Sequence, residues 1–230
     1  MTILLAIETS TELATAAVLV DGRLYQRELS GVQTHSQGIL PAIQALLKEA
    51  GVALQDCAAI AFGCGPGAFT GIRTACGIVQ GLAYGAGLPV LPVVSLQAMA
   101  EAARGEKPLA ELVCILDARM NEVYWAQYRY IDNAWEVVSA PALARLDEVF
   151  PLVSFAAPTY VLGHGIVLPE AIAAAAESQL CMPHAAQVAT LGHIALQAGL
   201  QLPPEQAQPL YLRNKIALTT AEREQAKALV

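Results

Sequence analysis

The chain is written twice, and this repetition limits its fold more than any other feature. Residues 3–7, Ile-Leu-Leu-Ala-Ile, form an apolar run that ends at Glu8. A polar loop follows at Thr9-Ser10-Thr11-Glu12, then an apolar stretch at 14–20, an Asp21-Gly22 turn and a return at 24–29. Asp-Gly tolerates the positive φ of a tight hairpin, so the segment reads as a three-stranded meander whose first strand closes on an acid. About 110 residues later the order recurs: a strand at 113–116 ending at Asp117, a loop over 118–121, an alternating strand at 123–130, a turn at Asp132-Asn133 and a return at 135–138. Matching strand, acid, loop, hairpin and strand in sequence point to a duplication.

Helices and strands alternate after each meander. In the first half, residues 37–50 place Ile39, Leu40, Ile43, Leu46, Leu47 and Ala50 on one helical face. A strand at 58–62, a helix at 70–84, a strand at 90–94 and a helix at 96–103 follow. The second half carries a weaker series: a strand at 159–162 and helices near 169–176 and 188–198. Polar, Gly/Pro-bearing residues 104–108 suggest the boundary, which divides the chain into an N-terminal domain (1–104), a C-terminal domain (105–213) and a mobile tail (214–230). Pro203, Pro204 and Pro209 predict an extended segment laid over the body. Two such α/β halves resemble the duplicated ribonuclease-H-like architecture of actin, sugar kinases and Hsp70 (the ASKHA fold). There the acids face each other across a cleft that holds ATP. Architecture alone does not assign an activity.

Composition narrows the function classes. Of the 230 residues, 55% are hydrophobic and 14% charged, with a net charge of -7 and only 13 basic side chains. An acidic chain is a poor nucleic-acid binder by itself, so any RNA contact should draw its positive charge from another subunit. The apolar share has two explanations, an Ala-rich core or a surface covered by a partner chain. Residues 74–100 are free of charge, but glycines and prolines divide them into helix, turn and strand, so no membrane span is expected. No signal peptide is visible, and a cytoplasmic location is the default. Cys57, Cys64, Cys76, Cys114 and Cys181 form no CxxC pair and read as buried thiols.

The segment Gly63-Cys64-Gly65-Pro66-Gly67-Ala68-Phe69-Thr70-Gly71-Ile72-Arg73 joins a strand to a helix. Its glycines allow close approach, and the helix N-terminus offers amide groups to an anion. It is neither a Walker A loop nor a complete GxGxxG, and it serves equally well as a turn that brings helix to sheet. Glu8, Thr9, Ser10, Gly65, Gly67 and Asp117 are the candidates for a remnant anion or nucleotide site; lone acids such as Glu8 and Asp117 also serve as loop organisers. Arg73 stands in the first helical turn, where the dipole disfavours a cation. A carboxylate would offset this, from Glu8, Glu12 or another chain. Gly77, Gly81 and Gly85 continue from Arg73 as one smooth stripe, which asks for a backbone close by: the 37–50 helix of the same chain or, as an apolar chain favours, a partner's. His35, His164, His184 and His193 are scattered without metal-ligand spacing, and no metal site is expected.

Together these residues resemble the TsaB/YeaZ family. Leu5-Ala6-Ile7-Glu8-Thr9-Ser10-Thr11 is similar to its opening. Gly65-Pro66-Gly67-Ala68-Phe69-Thr70-Gly71-Ile72-Arg73 resembles its GPGSFTGxR motif, with Ala68 for Ser. His35-Ser36 before Leu40-Pro41, Asp117-Ala118-Arg119 before Glu122-Val123-Tyr124, and Tyr211-Leu212-Arg213 resemble its HSxxLLP, DARxxEVY and YLR segments. The resemblance implies a homodimer, and a heterodimer with the catalytic paralogue TsaD that works with the ATPase TsaE on tRNA. It implies that the helices after His35 and Thr70 form the partner face, with His35, Ile39, Ala42, Arg73, Gly77, Gly81 and Gly85 as its candidates. TsaD carries a metal-binding histidine pair where this chain has Ser95 and Met99, so no cofactor of its own is expected; ATP and a metal belong to the partners. The expectation is a non-catalytic subunit. The alternatives are a stand-alone ATP-dependent phosphotransferase or ATPase using Glu8 and Asp117 and, remotely, a peptidase.

Overall fold

The computed structural model describes residues 2–29, 35–104, 111–153, 159–163, 166–167, 170 and 177–213. The first meander forms as β1 (Ile3–Glu8), β2 (Ala14–Val20) and β3 (Arg23–Leu29). Asp21 and Gly22 take φ of 46° and 85°, the conformation that a two-residue hairpin requires. Helix α1 (His35–Ala50), β4 (Ala59–Gly65), α2 (Phe69–Ala86), β5 (Val90–Val94) and α3 (Ser95–Arg104) complete the half. Gly87, at φ 68°, ends α2 and donates its N–H back to Ala83 and Tyr84.

The second half opens with β6 (Glu111–Arg119), β7 (Glu122–Ile131) and β8 (Ala134–Arg145), longer than the pattern suggested. A helical turn α4 (Leu146–Val149), β9 (Thr159–Gly163), β10 (Glu177–Leu180) and α5 (Ala185–Gln197) follow. The helix expected near 169–176 and the boundary and tail at 105–110 and 214–230 lie, apart from Glu170, outside the described residues.

The sheet orders are β3-β2-β1-β4-β5 and, in equivalent sense, β8-β7-β6-β9-β10. In each, the meander is antiparallel and the next two strands are added parallel; Glu8 ends β1, and Asp117 stands at the equivalent place in β6, two residues before its end. Two sheets of one order and polarity make this the duplicated ribonuclease-H-like fold.

Alternation explains the layers, because successive strand residues point to opposite faces. Ile3, Leu5, Ile7, Ile60 and Phe62 face Ile39, Ile43 and Leu46 of α1 and Ala75, Val79 and Ala83 of α2. Leu4, Ala6, Ala59, Ala61 and Leu91 face the opposite way, onto Ala185, Val188 and Ala189 of α5. Helix α5 thus covers the first sheet although its residues were drawn with the second half. It comes so close at Gly192 that a Cβ there would stand 2.6 Å from the Ala61 Cβ. Helix α3 places Leu96, Met99, Ala100 and Ala103 on Leu112, Cys114, Leu116 and Tyr128 of the second sheet. Beyond α5 the chain runs extended except for a 3-10 turn at Pro204–Gln206, pairing Leu202 with Val90 and Leu210 with Cys64 through backbone hydrogen bonds.

Candidate functional site

Glu8 is fully buried at the end of β1. Its carboxylate accepts the Ser10 N–H at 2.6 Å and the Ser95 hydroxyl at 2.8 Å. Burial raises its pKa above the usual carboxylate range, and the hydrogen bonds from Ser10 and Ser95 oppose that shift. The glycine-rich loop lies against this turn. A Cβ at Gly63 would fall 1.8 Å from the Glu8 Oε2, one at Gly67 2.3 Å from the Ser10 carbonyl oxygen, and one at Gly71 1.9 Å from that of Thr9. The Thr9 hydroxyl donates to the Gly71 carbonyl, and the Ala68 N–H, at the N-terminus of α2, donates to Ser10. The chain's own backbone therefore occupies the close approach that an anion would need at Ala68.

Between the halves lies a cleft of about 920 Å³. Ser10, Gly67 and Asp117 line it. Glu8, Thr9 and Gly65, expected with them, are buried behind it, because the β1–β2 turn folds inward to satisfy Glu8. Glu8 and Asp117 consequently do not form a carboxylate pair across the cleft. Asp117 instead accepts the Arg119 N–H at 2.8 Å and pairs with the Arg119 side chain at 3.1 Å.

Arg119, Met120 and Asn121 all have positive φ, 65°, 59° and 59°. Non-glycine residues adopt this region at a cost that surrounding contacts must offset. Arg213 supplies such contacts, donating to the Ala118 carbonyl at 3.0 Å and pairing with Glu122 at 2.5 Å. The motif segments at 117–124 and 211–213 thus form one structural unit. Sequence reasoning noted the second as a motif without giving it a role; its signal was an arginine closing an otherwise apolar Leu-Tyr-Leu run.

The outer surface of α1 and α2 differs from the expectation in part. Ile39 and Ala42, expected at a partner face, are both buried, Ile39 against the chain's own first sheet on the inward stripe with Ile43 and Leu46. The side chain of His35 lies outside the described residues. Gly77, Gly81 and Gly85 are exposed, and a Cβ at any of them would meet none of the described residues within 4 Å. The stripe therefore does not serve contact with α1. Tyr84 of α2 is 84% exposed, and Leu40 of α1, expected on the inward face with Ile39, is 41% exposed instead. Arg73 is exposed too. Its guanidinium stacks on Phe69 at 3.6 Å, and its Nε donates to the Tyr211 hydroxyl at 2.6 Å. The expected carboxylate, Glu8 or Glu12, is not its partner among the described ion pairs.

Ser95 and Met99 are both sealed from solvent, Ser95 on Glu8 and Met99 in the core between α3 and the second sheet. Their side chains offer no pair of donors for a catalytic divalent cation. Among the described residues no cluster of three His, Cys, Asp or Glu could hold a metal, and no helix is long and apolar enough to cross a membrane. Burial pushes the Cys57 thiol up to about 11 and the Cys64 thiol to about 12, so both stay protonated at neutral pH.

Two sheets of one order and a cleft between them define a duplicated ribonuclease-H-like α/β protein. Residues 25–219 match the family model described as TsaD, tRNA N6-adenosine threonylcarbamoyltransferase. The tRNA threonylcarbamoyladenosine biosynthesis protein TsaB of Escherichia coli K12 is 33% identical over 228 residues, covering 93% of this chain and 96% of that one. TsaB of Haemophilus influenzae is 47% identical over 124 residues, covering 54% of this chain and 52% of that one. The solved structure of YeaZ from Pseudomonas aeruginosa superposes with a TM-score of 0.82 at 37% identity, covering 92% of this chain and all of that one. The chain belongs to the TsaB/YeaZ family.

Proposed function

We propose that this chain is a non-catalytic partner subunit in the formation of threonylcarbamoyladenosine beside the anticodon of tRNAs. It works in the cytoplasm with TsaD as heterodimer partner and TsaE in a ternary complex, forms a homodimer by itself, and meets tRNA only through the complex. ATP and the metal sit on the partner subunits. The observation that carries this reading is the filling of the catalytic positions: Ser95 and Met99 are enclosed in the core, and Glu8 is satisfied internally. The outward face of α1 and α2, with its open glycine stripe, is the docking surface that remains.

An omission assay tests the role. Purified TsaD, TsaE, the threonylcarbamoyl-adenylate synthase, tRNA, ATP, threonine and bicarbonate are expected to yield threonylcarbamoyladenosine only when this chain is added. The chain with the same components minus TsaD is expected to yield none. Product formed without TsaD would overturn the non-catalytic assignment, and product formed without this chain would overturn the requirement for it. The stand-alone phosphotransferase is the weaker reading, because Glu8 does not reach the cleft.

A further inference from the structure

Arg73 is held ready for an anion that the described residues do not supply. It stands in the first turn of α2, where the helix dipole opposes a cation, and no carboxylate pairs with it among the described residues. Two independent contacts fix its plane: the Phe69 ring at 3.6 Å and the Tyr211 hydroxyl on Nε at 2.6 Å. A guanidinium oriented through its Nε edge and one face still presents its outer nitrogens in the fork that matches a carboxylate.

The position of Arg73 decides what kind of chain can dock. It continues the glycine stripe of α2 on the face already assigned to partners. Along α1 and α2 the single acidic residue is Glu49, in the last turn of α1, where it pairs with Arg27 at 2.9 Å. A second copy docking these helices on themselves therefore brings Arg73 no carboxylate from either helix. A different protein of similar fold, carrying an acidic side chain at this point, would satisfy it. A phosphate backbone is the poorer fit, because the chain carries a net charge of -7.

We propose that Arg73 is a specificity residue that selects a carboxylate-bearing heterologous partner over a second copy of this chain. The inference rests on the proposed docking face, and deepens it by naming the chemistry of the partner. Interfaces gain discrimination when a charge is satisfied in one complex and left without a partner in the other.

Analytical ultracentrifugation of the full chain, alone and with TsaD, tests this across four variants. Arg73→Gln is expected to weaken the TsaD complex by about tenfold or more and flatten its salt dependence, while the homodimer is unchanged or tighter. Arg73→Lys, which keeps charge but loses the fork, should fall between. Tyr211→Phe, which removes only the hydroxyl that orients Nε, should shift the same equilibrium less. Gly81→Leu is the control for the face itself and should disrupt both complexes. If Gly81→Leu changes neither, the docking face is wrong. If Gly81→Leu acts but Arg73→Gln weakens both complexes equally, or neither, the selection by Arg73 is refuted. Unchanged TsaD affinity with weaker tRNA binding by the assembled complex would assign Arg73 to phosphate and overturn the carboxylate. Circular dichroism of each variant separates these outcomes from misfolding.

Discussion

Gly71 and Gly77 lie six residues apart in one helix and should answer the same substitution with opposite signs. At Gly71 an added methyl group meets the Thr9 backbone at 1.9 Å, and backbone cannot swing aside. Gly71→Ala is expected to destabilise by about 1–3 kcal/mol through overpacking. At Gly77 the methyl meets open space, and Gly77→Ala should stabilise the isolated chain by up to about 1 kcal/mol through helix propensity. Urea unfolding of both variants measures the difference. Glu8 makes a second test. Its pKa is raised, chiefly by burial, so between pH 4.5 and the folded-state pKa the unfolded chain loses a proton that the folded chain keeps. Its contribution is full below pH 4.5 and declines as pH rises through the folded pKa. Glu8→Gln can still accept from Ser10 without a charge to bury. Its unfolding midpoint should exceed that of the parent at pH 7.5, with the gap closing toward pH 4.5.

At the scale of elements, helix α5 is tied to the first sheet at its N-terminus. His184 caps it, its Nδ1 accepting the Ala186 N–H at 3.1 Å while its Nε2 lies 3.3 Å from Glu28 on β3. The cap needs the neutral ring, because a protonated Nδ1 cannot accept. Burial lowers the His184 pKa below 6.5, more than Glu28 raises it. Its contribution is therefore present above pH 6.5 and lost as pH falls toward the folded-state pKa. His184→Asn keeps a cap without the titration, so its urea midpoint should vary less than the parent's between pH 7.5 and 5.5. Asp117 and Arg119 show the converse: both are largely exposed, so their pairing is screened and serves loop geometry more than stability.

For the whole molecule, the extended segment from Leu202 to Arg213 works as a strap. It pairs with β5, passes over α2 where Gln80 donates to the Ala207 carbonyl at 2.9 Å, and ends on the β6–β7 loop of the other half. Arg213→Ala should destabilise by about 1.5–3 kcal/mol, because it removes the charged hydrogen bonds to Ala118 and Glu122, which flank the three left-handed residues. Amide hydrogen exchange should accelerate at residues 118–122 and stay unchanged in β1 and β4. Acceleration in the first sheet as well would mean that Arg213 anchors the whole strap, including its pairs with Val90 and Cys64.

The duplication, the hairpins and the inward stripe of α1, apart from the exposed Leu40, were legible without coordinates, because period-two and period-3.6 patterns and turn chemistry act over a few residues. The same pattern placed Ile39 on the inward stripe of α1, even though Ile39 and Ala42 were also expected at the partner face. What remained hidden depends on distance in space. Only the tertiary structure shows that α5 returns to the first sheet, that Glu8 turns inward to Ser95, and that Arg73 meets Tyr211 and Arg213 meets Ala118. Local periodicity fixes which face of an element is apolar; which element covers that face is decided by contacts between residues tens to more than a hundred positions apart, and no short-range pattern carries them.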